Sequence, residues 1–184
     1  MRIVGGELRG RPLETPRDQS IRPTTDRTRE ALFNVLAHRF GDRLSGARVL
    51  DLFAGTGALG LEAISRGASH CVFIEESAQG RGLIRQNVEA FGLQGRTKIF
   101  RRDATALGDV GTIAPFNLLF ADPPYGKGLG ERALASGLAG GWLQPTALCV
   151  VEEAASAAFG PVDGFEIIDE RNYGETVIRL LERV

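Results

Sequence analysis

Residues 48–60 read RVLDLFAGTGALG and determine the predicted fold. The apolar run at residues 48–53 predicts a buried strand, and the glycines of residues 54–60 predict a tight turn into a helix. That helix is expected over residues 61–66 and ends at Gly67. A strand that passes through a glycine turn into a helix is the first unit of a parallel α/β sheet.

Strand and helix patterns alternate along the rest of the chain. The predicted elements are strands over residues 71–74, 97–100, 116–121 and 147–151, helices over residues 77–91 and 131–138, and a final strand pair over residues 165–168 and 176–181. Gly80 and Gly82 weaken the first turns of the helix over residues 77–91. Such alternation is typical of an α/β protein, so we expect a doubly wound, mostly parallel sheet with helices on both faces.

The N-terminal part of the chain has a different pattern. Residues 1–13 predict two short strands around a turn at Gly5 and Gly6, that is, a β-hairpin. A loop or arm is expected over residues 14–23. Residues 24–26 then supply N-cap side chains for an amphipathic helix that closes near Gly41.

Length and composition fit one well-buried domain with an N-terminal appendage. The chain has 184 residues, of which 43% are hydrophobic. This length is sufficient for one hydrophobic core and short for two domains. We predict an appendage of hairpin, arm and helix over residues 1–45 and a main domain over residues 46–184. Residues 1–48 carry ten arginines against six acids, and the remainder carries 12 bases against 17 acids. This asymmetry hints at a polyanion-facing arm, although a weak basic excess is more often a solvated surface.

Signals for a membrane segment or a metal site are weak throughout. Apolar runs stay well below the roughly 20 residues that span a bilayer, and the N-terminus has no hydrophobic signal segment, so we expect a cytoplasmic protein without membrane contact. Cys71 and Cys149 lie in apolar runs and are expected to be buried, reduced thiols. His38 and His70 are isolated, and no metal site is expected.

Residues 118–126, LLFADPPYG, place a carboxylate and two prolines at the end of an apolar strand. Ligands of open α/β sheets bind outside the carboxyl ends of the strands, which is where Asp122 is expected. Pro123 and Pro124 lack backbone N–H groups and leave nearby carbonyl oxygens free to accept hydrogen bonds from a ligand. The ring of Tyr125 follows. We interpret these four residues as a catalytic ledge for a substrate amine.

The pattern Gly55-x-Gly57-x-x-Gly60 is compatible with two kinds of cofactor. In a nicotinamide enzyme, such glycines bring a pyrophosphate onto a helix N-terminus. In an S-adenosylmethionine enzyme, the same turn approaches a ribose and a methionine moiety. Glu75, at the end of the next strand, suits ribose hydroxyls in both cases. Asp103 and the catalytic ledge, at two further strand ends, favour the second kind because hydride transfer needs neither.

In this order, the motifs resemble those of class I S-adenosylmethionine-dependent methyltransferases that act on exocyclic amines. Residues 22–34, with residues 5–6 and 9–11 before them and residues 173–176 after them, resemble the RsmD family of guanine-N2 methyltransferases of bacterial small-subunit ribosomal RNA. The resemblance covers nearly the whole chain. It implies a Rossmann-like, seven-stranded sheet with an antiparallel last strand, and methyl transfer to the N2 amine of a guanine in 16S ribosomal RNA. It also implies that residues 46–184 form the methyltransferase domain and that the appendage over residues 1–45 binds RNA.

The resemblance also implies a cofactor site for S-adenosyl-L-methionine, with S-adenosyl-L-homocysteine as product and no metal. Turn residues would let the backbone approach the cofactor, and acids at strand ends would bind its methionine end, ribose and adenine. The implied cofactor-binding residues are Asp51, Phe53, Ala54, Gly55, Gly57, Glu75, Asp103 and Ala104. Taken singly, Asp51 fits a turn cap and Asp103 a loop acid equally well, but their order at successive strand ends favours the cofactor roles.

The implied catalytic residues are Asp122, Pro123, Pro124 and Tyr125. Asp122 and a proline carbonyl would accept the N–H groups of the guanine amine, and Tyr125 would stack on the base. Two other hypotheses remain open. The ledge also suits the N6 amine of adenine in DNA or another RNA, and a non-catalytic RNA-binding assembly factor could retain the same fold.

Basic residues of the appendage are the implied contacts to RNA phosphates. These candidates are Arg2, Arg9, Arg11, Arg22, Arg27 and Arg29. The implied partner is 16S ribosomal RNA within a small ribosomal subunit or an assembly intermediate, with ribosomal proteins at the same surface. We expect the enzyme to be a monomer.

Overall fold

Strands and helices alternate along the main part of the chain. The structure is a computed structural model, and it describes residues 1–18 and 24–184. Its strands are β1 (Arg48–Leu52), β2 (His70–Ile74), β3 (Thr97–Phe100), β4 (Phe116–Ala121), β5 (Leu143–Ala154), β6 (Phe165–Tyr173) and β7 (Thr176–Arg183). Its helices are α1 (Asp26–Leu44), α2 (Ala58–Ser65), α3 (Ala78–Ala90) and α4 (Leu129–Ala139), with a short 3-10 helix at Gln94–Arg96.

All seven strands form one sheet in the order β3-β2-β1-β4-β5-β7-β6. Strands β1 to β5 run parallel to one another, and β7 lies antiparallel between β5 and β6. The predicted doubly wound sheet with an antiparallel last strand is therefore confirmed. Strand order reverses between β1 and β4, and a ligand crevice is expected outside the carboxyl ends of these two strands.

Several elements extend beyond their predicted ends because tertiary contacts continue there. Helix α1 passes Gly41 and ends at Leu44, with a kink at Phe40 (φ −135°, ψ 33°). Leu44 is buried in the core, which favours this extra turn. Strand β5 starts and ends further out than predicted, and its last seven residues pair with β7.

The predicted N-terminal hairpin forms a single antiparallel bridge, between Arg2 and Pro12. Ile3 N–H donates to the carbonyl of Arg11 at 3.0 Å, and Gly10 N–H donates to the carbonyl of Ile3 at 2.8 Å. Pro12 has no N–H to donate, which limits the ladder at this point. The pairing is thus present, but two regular strands are not.

Residues of the N-terminal segment belong to the main hydrophobic core. Ile3, Leu13 and Phe33 are buried in the same cluster as Val49 of β1 and Leu61 of α2. In the described residues, the hydrophobic core therefore continues across the predicted boundary near residue 45. In those residues, moreover, no helix is long and apolar enough to cross a membrane.

Glu62 of α2 anchors this packing. Its Oε1 accepts hydrogen bonds from Val4 N–H at 3.0 Å and Arg29 Nε at 3.1 Å, and its Oε2 accepts from Gly5 N–H at 3.0 Å and Arg66 Nε at 2.9 Å. The side chains of Glu62 and Arg29 are both fully buried. A buried charge is tolerated when it is paired and fully hydrogen-bonded, and here the pair ties the N-terminus, α1 and α2 together.

We expect Glu62→Ala to destabilise the protein by about 3–5 kcal/mol, because it leaves the Arg29 guanidinium buried without its main counter-ion. Denaturant unfolding followed by circular dichroism measures this change. Arg39→Ala is the matched control: it breaks the more exposed ion pair with Asp169, which should cost about 1 kcal/mol or less. Equal losses for the two variants would contradict the anchoring role of Glu62.

Candidate active site

A cavity of about 530 Å³ opens at the carboxyl ends of β1, β2, β4 and β5. Most of the predicted site residues line this one cavity, namely Asp51, Phe53, Ala54, Gly55, Glu75, Ala104, Asp122, Pro123, Pro124 and Tyr125. Gly57 and Asp103 are not among its lining residues. The glycine turn and the catalytic ledge, predicted from separate segments, therefore share one cleft.

The turn between β1 and α2 has an unusual backbone. Phe53 has a left-handed φ of 53°, and Gly55 and Gly57 have φ values of 59° and 80°. A residue other than glycine in this region is strained, and such strain is commonly held at ligand sites. A Cβ atom on Gly57 would lie 3.3 Å from both Ile84 and Phe73. Gly57 therefore shapes the turn and allows close packing without lining the cavity.

Asp51 lies beneath this turn at the end of β1. Its side chain is buried, and its Oδ2 accepts a hydrogen bond from Gly60 N–H at 3.0 Å. Burial raises the pKa of Asp51 well above its usual value, the Gly60 hydrogen bond opposes this rise, and the charge of Glu75 adds to it. A Cβ atom on Gly60 would meet the Cys71 sulfur at 2.6 Å, so glycine is required for Asp51 to cap this helix.

Glu75 connects the end of β2 to the glycine turn. Its Oε1 accepts from Gly55 N–H at 2.8 Å and its Oε2 from Ser77 N–H at 2.9 Å. Gly80, predicted to weaken α3, instead allows Glu75 to pack, since a Cβ atom there would lie 2.7 Å from the Glu75 Cγ. Ser77 caps the Gly80 N–H at 3.0 Å, and the helix forms from Ala78.

Asp103 lies at the rim after β3, and its side chain is exposed. Its Oδ1 accepts hydrogen bonds from the backbone N–H and the hydroxyl of Thr105 at 2.8 and 2.7 Å, and these bonds lower the pKa of Asp103. Its neighbours Arg102 and Ala104 line the cavity. The Arg102 guanidinium lies 5.3 Å from the Trp142 ring centroid. Asp103 is thus a rim residue with one oxygen already engaged.

Two glutamates of β5 hold the catalytic ledge. The Tyr125 hydroxyl donates to Glu152 Oε1 at 2.6 Å, and Gly126 N–H donates to Glu153 Oε1 at 3.0 Å. Strands β4 and β5 pair in parallel with Ala121 opposite Val151. Asp122 and Glu152 come directly after these two paired residues, and both therefore face the same crevice.

Thr24, which lies two residues before α1, reaches both of these carboxylates. Its hydroxyl oxygen is 2.8 Å from Asp122 Oδ2 and 3.2 Å from Glu152 Oε2. Sequence reasoning missed Thr24 and Glu152. The rule that located Asp122, an acid at the carboxyl end of a parallel strand, also applies to Glu152. Thr24 lies 98 residues from Asp122 in the chain, and no local pattern connects the two.

Asp122 has an unusual electrostatic environment. Burial and the negative charge of Glu152 raise the pKa of Asp122 well above its usual value, and the charge of Asp51 contributes in the same direction. The hydrogen bond from Thr24 opposes the rise. Perturbed carboxylates in a cleft are typical of functional sites, since a more basic carboxylate is a stronger acceptor of N–H groups and protons.

The family of the chain follows from comparison with known proteins. A family model described as "Conserved hypothetical protein 95" matches residues 1–182. The chain belongs to this family. "Ribosomal RNA small subunit methyltransferase D" of Escherichia coli K12 is 39% identical over 186 residues, which cover 100% of this chain and 90% of that protein. The resemblance to the RsmD family is therefore confirmed.

Solved structures agree with this membership. A putative methyltransferase, yhhF, from Escherichia coli has a TM-score of 0.84 at 34% identity and covers 100% of this chain and 97% of its own. The putative methylase HI0767 from Haemophilus influenzae has a TM-score of 0.79 at 28% identity, with 100% and 98% covered. The family fold thus extends over the N-terminal segment as well as the sheet.

The arginines predicted to contact RNA differ in their positions. Arg29 is fully buried and is held by Glu62, Asp26 and the carbonyl of Arg2. This position does not fit a phosphate contact, because the guanidinium is a structural part of the core network. Arg22 lies outside the described residues.

Four of these arginines are exposed on the appendage: Arg2, Arg9, Arg11 and Arg27. Arg2 donates to the carbonyl of Gly10 at 2.7 Å, and Arg11 donates to the carbonyl of Ala90 at 2.8 Å. Within the described part of the chain, no hydrogen bond or ion pair engages the guanidinium of Arg9 or Arg27. Both remain available to a phosphate group.

We expect the pKa of Asp122 to fall in Glu152→Gln, because the substitution removes the neighbouring negative charge and keeps the side-chain volume. Titration of the Asp122 carboxyl carbon by ¹³C NMR measures the change. Since the folded-state pKa of Asp122 is raised, the contribution of this carboxyl group to the unfolding free energy should decrease as pH rises from the ordinary aspartate pKa toward the raised one. Glu166→Gln on the exposed face of β6 should leave the titration unchanged, and an unaltered Asp122 titration in Glu152→Gln would contradict their coupling.

Proposed function

We propose that this protein transfers the methyl group of S-adenosylmethionine to the exocyclic N2 amine of a guanine in small-subunit ribosomal RNA. The observation that carries the proposal is the single cavity that joins the turn at Gly55 and Glu75 to the catalytic ledge. A methyl donor on the turn and an amine on the ledge meet in this cleft, and such positioning supplies roughly 7–11 kcal/mol of barrier reduction in favourable cases. Relatives named as methyltransferases of small-subunit ribosomal RNA support the substrate class.

The charges that line the cavity favour this donor over a dinucleotide. The acids Asp51, Glu75, Glu76, Asp122 and Glu152 line it together with Arg102, and this excess of carboxyl groups disfavours a pyrophosphate. S-adenosylmethionine instead carries a positive sulfonium group, and when bound it supplies an electrophilic methyl group. Glu75 would accept its ribose hydroxyls, since each carboxylate oxygen holds a further lone pair beside the backbone bond that it already accepts.

The catalytic ledge suits an amine attached to a planar base. The lone pair of the guanine N2 amine is delocalised into the ring, which makes it a poor nucleophile. Asp122 and a carbonyl of Pro123 or Pro124 would accept its two N–H groups and turn the lone pair toward the methyl group. Tyr125 would hold the base by stacking, with its hydroxyl fixed on Glu152. The C–N bond would form as the bond between the methyl carbon and the sulfonium sulfur breaks, and the sulfur would keep that electron pair and leave as the thioether of S-adenosylhomocysteine. The nitrogen would then carry one proton too many, and Asp122 is placed to accept it.

Asp122→Asn should lower the rate of methyl transfer by about 10²–10⁴-fold, because it removes the proton acceptor and keeps the shape of the side chain. Affinity for S-adenosylmethionine should stay within a few-fold. Transfer of labelled methyl groups to naked RNA, immature small subunits and mature small subunits measures the rate, and calorimetry measures the affinity. Asp163→Ala, on an exposed loop, is the control and should behave as wild type.

Nucleoside mass spectrometry of the products identifies the methylated atom. We expect N2-methylguanosine. Methyl groups on adenine N6 with none on guanine N2 would reject the guanine assignment in favour of an adenine methyltransferase. Turnover by Asp122→Asn at the wild-type rate would reject the role of Asp122. Binding of RNA without any methyl transfer would favour a non-catalytic assembly factor.

Arg27→Ala should weaken RNA binding and make its salt dependence shallower by about one counter-ion, because Arg27 is exposed on the first turn of α1, a few residues after Thr24 of the cleft. Binding isotherms over a series of salt concentrations give the slope of the logarithm of the binding constant against the logarithm of the salt concentration. Arg171→Ala, on strand β6 at the far edge of the sheet, is the matched control and should leave the slope unchanged. An unaltered slope in Arg27→Ala would remove it from the RNA-binding surface.

A further inference from the structure

Glu152 is a second acid in the cleft, and the proposed methyl transfer does not use it as an acceptor. Its side chain faces the same crevice as Asp122, because the two residues follow the paired positions Ala121 and Val151. Glu152 is 8% exposed and lines the cavity. Acids buried to this degree are rare unless they are paired with a cation or serve a site.

In the described part of the chain, the hydrogen-bond partners of Glu152 are hydroxyl groups. Glu152 accepts from the Tyr125 hydroxyl at 2.6 Å and from the Thr24 hydroxyl at 3.2 Å. Thr24 has one proton to donate and is closer to Asp122, at 2.8 Å. Within residues 1–18 and 24–184, no salt bridge involves Asp122 or Glu152. The carboxylate oxygens of Asp122 and Glu152 therefore have more lone pairs than the hydroxyl donors of Thr24 and Tyr125 can fill.

The Watson–Crick edge of guanine supplies the missing donors. Its N1–H and its N2 amine are adjacent, and the N1 hydrogen and the nearer N2 hydrogen point outward from this edge of the base. Two neighbouring carboxylates are acceptors only, which complements this edge. Adenine and 2,6-diaminopurine instead present an unprotonated N1, whose lone pair would face the Glu152 carboxylate.

We infer that Glu152 is a specificity-determining residue that accepts the N1–H of the target guanine while Asp122 accepts an N–H of the N2 amine. The inference rests on the proposed function and adds how the base is chosen. Tyr125 then has two tasks, since its ring stacks on the base and its hydroxyl holds Glu152 in the plane of that base. A buried acceptor that loses its donor is left unpaired, and sites of this kind reject analogues strongly.

The experiment compares target bases that keep the 2-amino group but differ at N1. Once the methylated nucleotide has been mapped, ligated RNA substrates carry guanine, 2,6-diaminopurine or 2-aminopurine at that position. The wild type should methylate guanine more efficiently, in kcat/KM, than either analogue by about 10²-fold or more. In Glu152→Gln, the amide N–H₂ can donate to an unprotonated N1. The preference for guanine should therefore fall at least tenfold, with part of the fall due to faster reaction of the analogues.

Control measurements separate specificity from folding. Glu170→Gln, at an exposed side chain of the edge strand β6 that pairs with Arg179, should keep the wild-type preference. Thermal unfolding followed by circular dichroism checks that Glu152→Gln is folded. Equal kcat/KM values of the wild type on guanine and 2,6-diaminopurine would overturn the inference without any variant.

The remaining outcomes distinguish this inference from the proposed function. If Glu152→Gln loses rate on all three bases in the same proportion, Glu152 only supports the ledge, and the specificity role is overturned while guanine-N2 methylation stands. If the wild type methylates adenine N6 and leaves guanine unmodified, the proposed function fails, and the role of Glu152 in guanine selection fails with it.

Discussion

The buried carboxylate of Glu62 is the interaction on which the rest of the site depends. A carboxylate without solvent must be satisfied by donors, and here they come from the backbone of residues 4 and 5 and from Arg29 and Arg66. Because Arg29 lies in the first turn of α1, this network also determines where α1 begins. The start of α1 places Thr24 between Asp122 and Glu152. The N-terminal segment therefore contributes to the wall of the cleft, in addition to carrying the exposed arginines that are proposed to contact RNA.

The parallel pairing of β4 and β5 creates the other main constraint. It places Asp122 and Glu152 next to each other, where burial and the charge of Glu152 raise the pKa of Asp122. Two neighbouring buried carboxyl groups lower folding stability, and such pairs are typically retained where they have a role in a functional site. In the proposed reaction this pair would supply a basic acceptor for the amine, and its acidity would suit a cationic methyl donor. Glu153 and Tyr125 hold the ledge in place, so that the acceptors are oriented before a substrate arrives.

Patterns local in sequence predicted most of the sheet and about half of the site. Strands β3 and β4 have the predicted ends, and Glu75 and Asp122 lie at the expected strand ends, because apolar runs and turn residues are short-range signals. The end of α1 was placed too early, since burial of Leu44 outweighs the helix-ending tendency of Gly41. Gly80 was interpreted as a weak point of α3, whereas its missing side chain makes room for Glu75.

The sequence by itself determined the fold class, the glycine turn with its acids, and the Asp122 to Tyr125 ledge, because each depends on residues that are neighbours in the chain. Tertiary structure decided which of these acids share a cleft, that Arg29 is an internal counter-ion, and that Thr24 and Glu152 join the site. These contacts span up to 128 residues. They exist because the order of strands in the sheet and the packing of α1 on α2 bring distant side chains together, and no local periodicity records such distances.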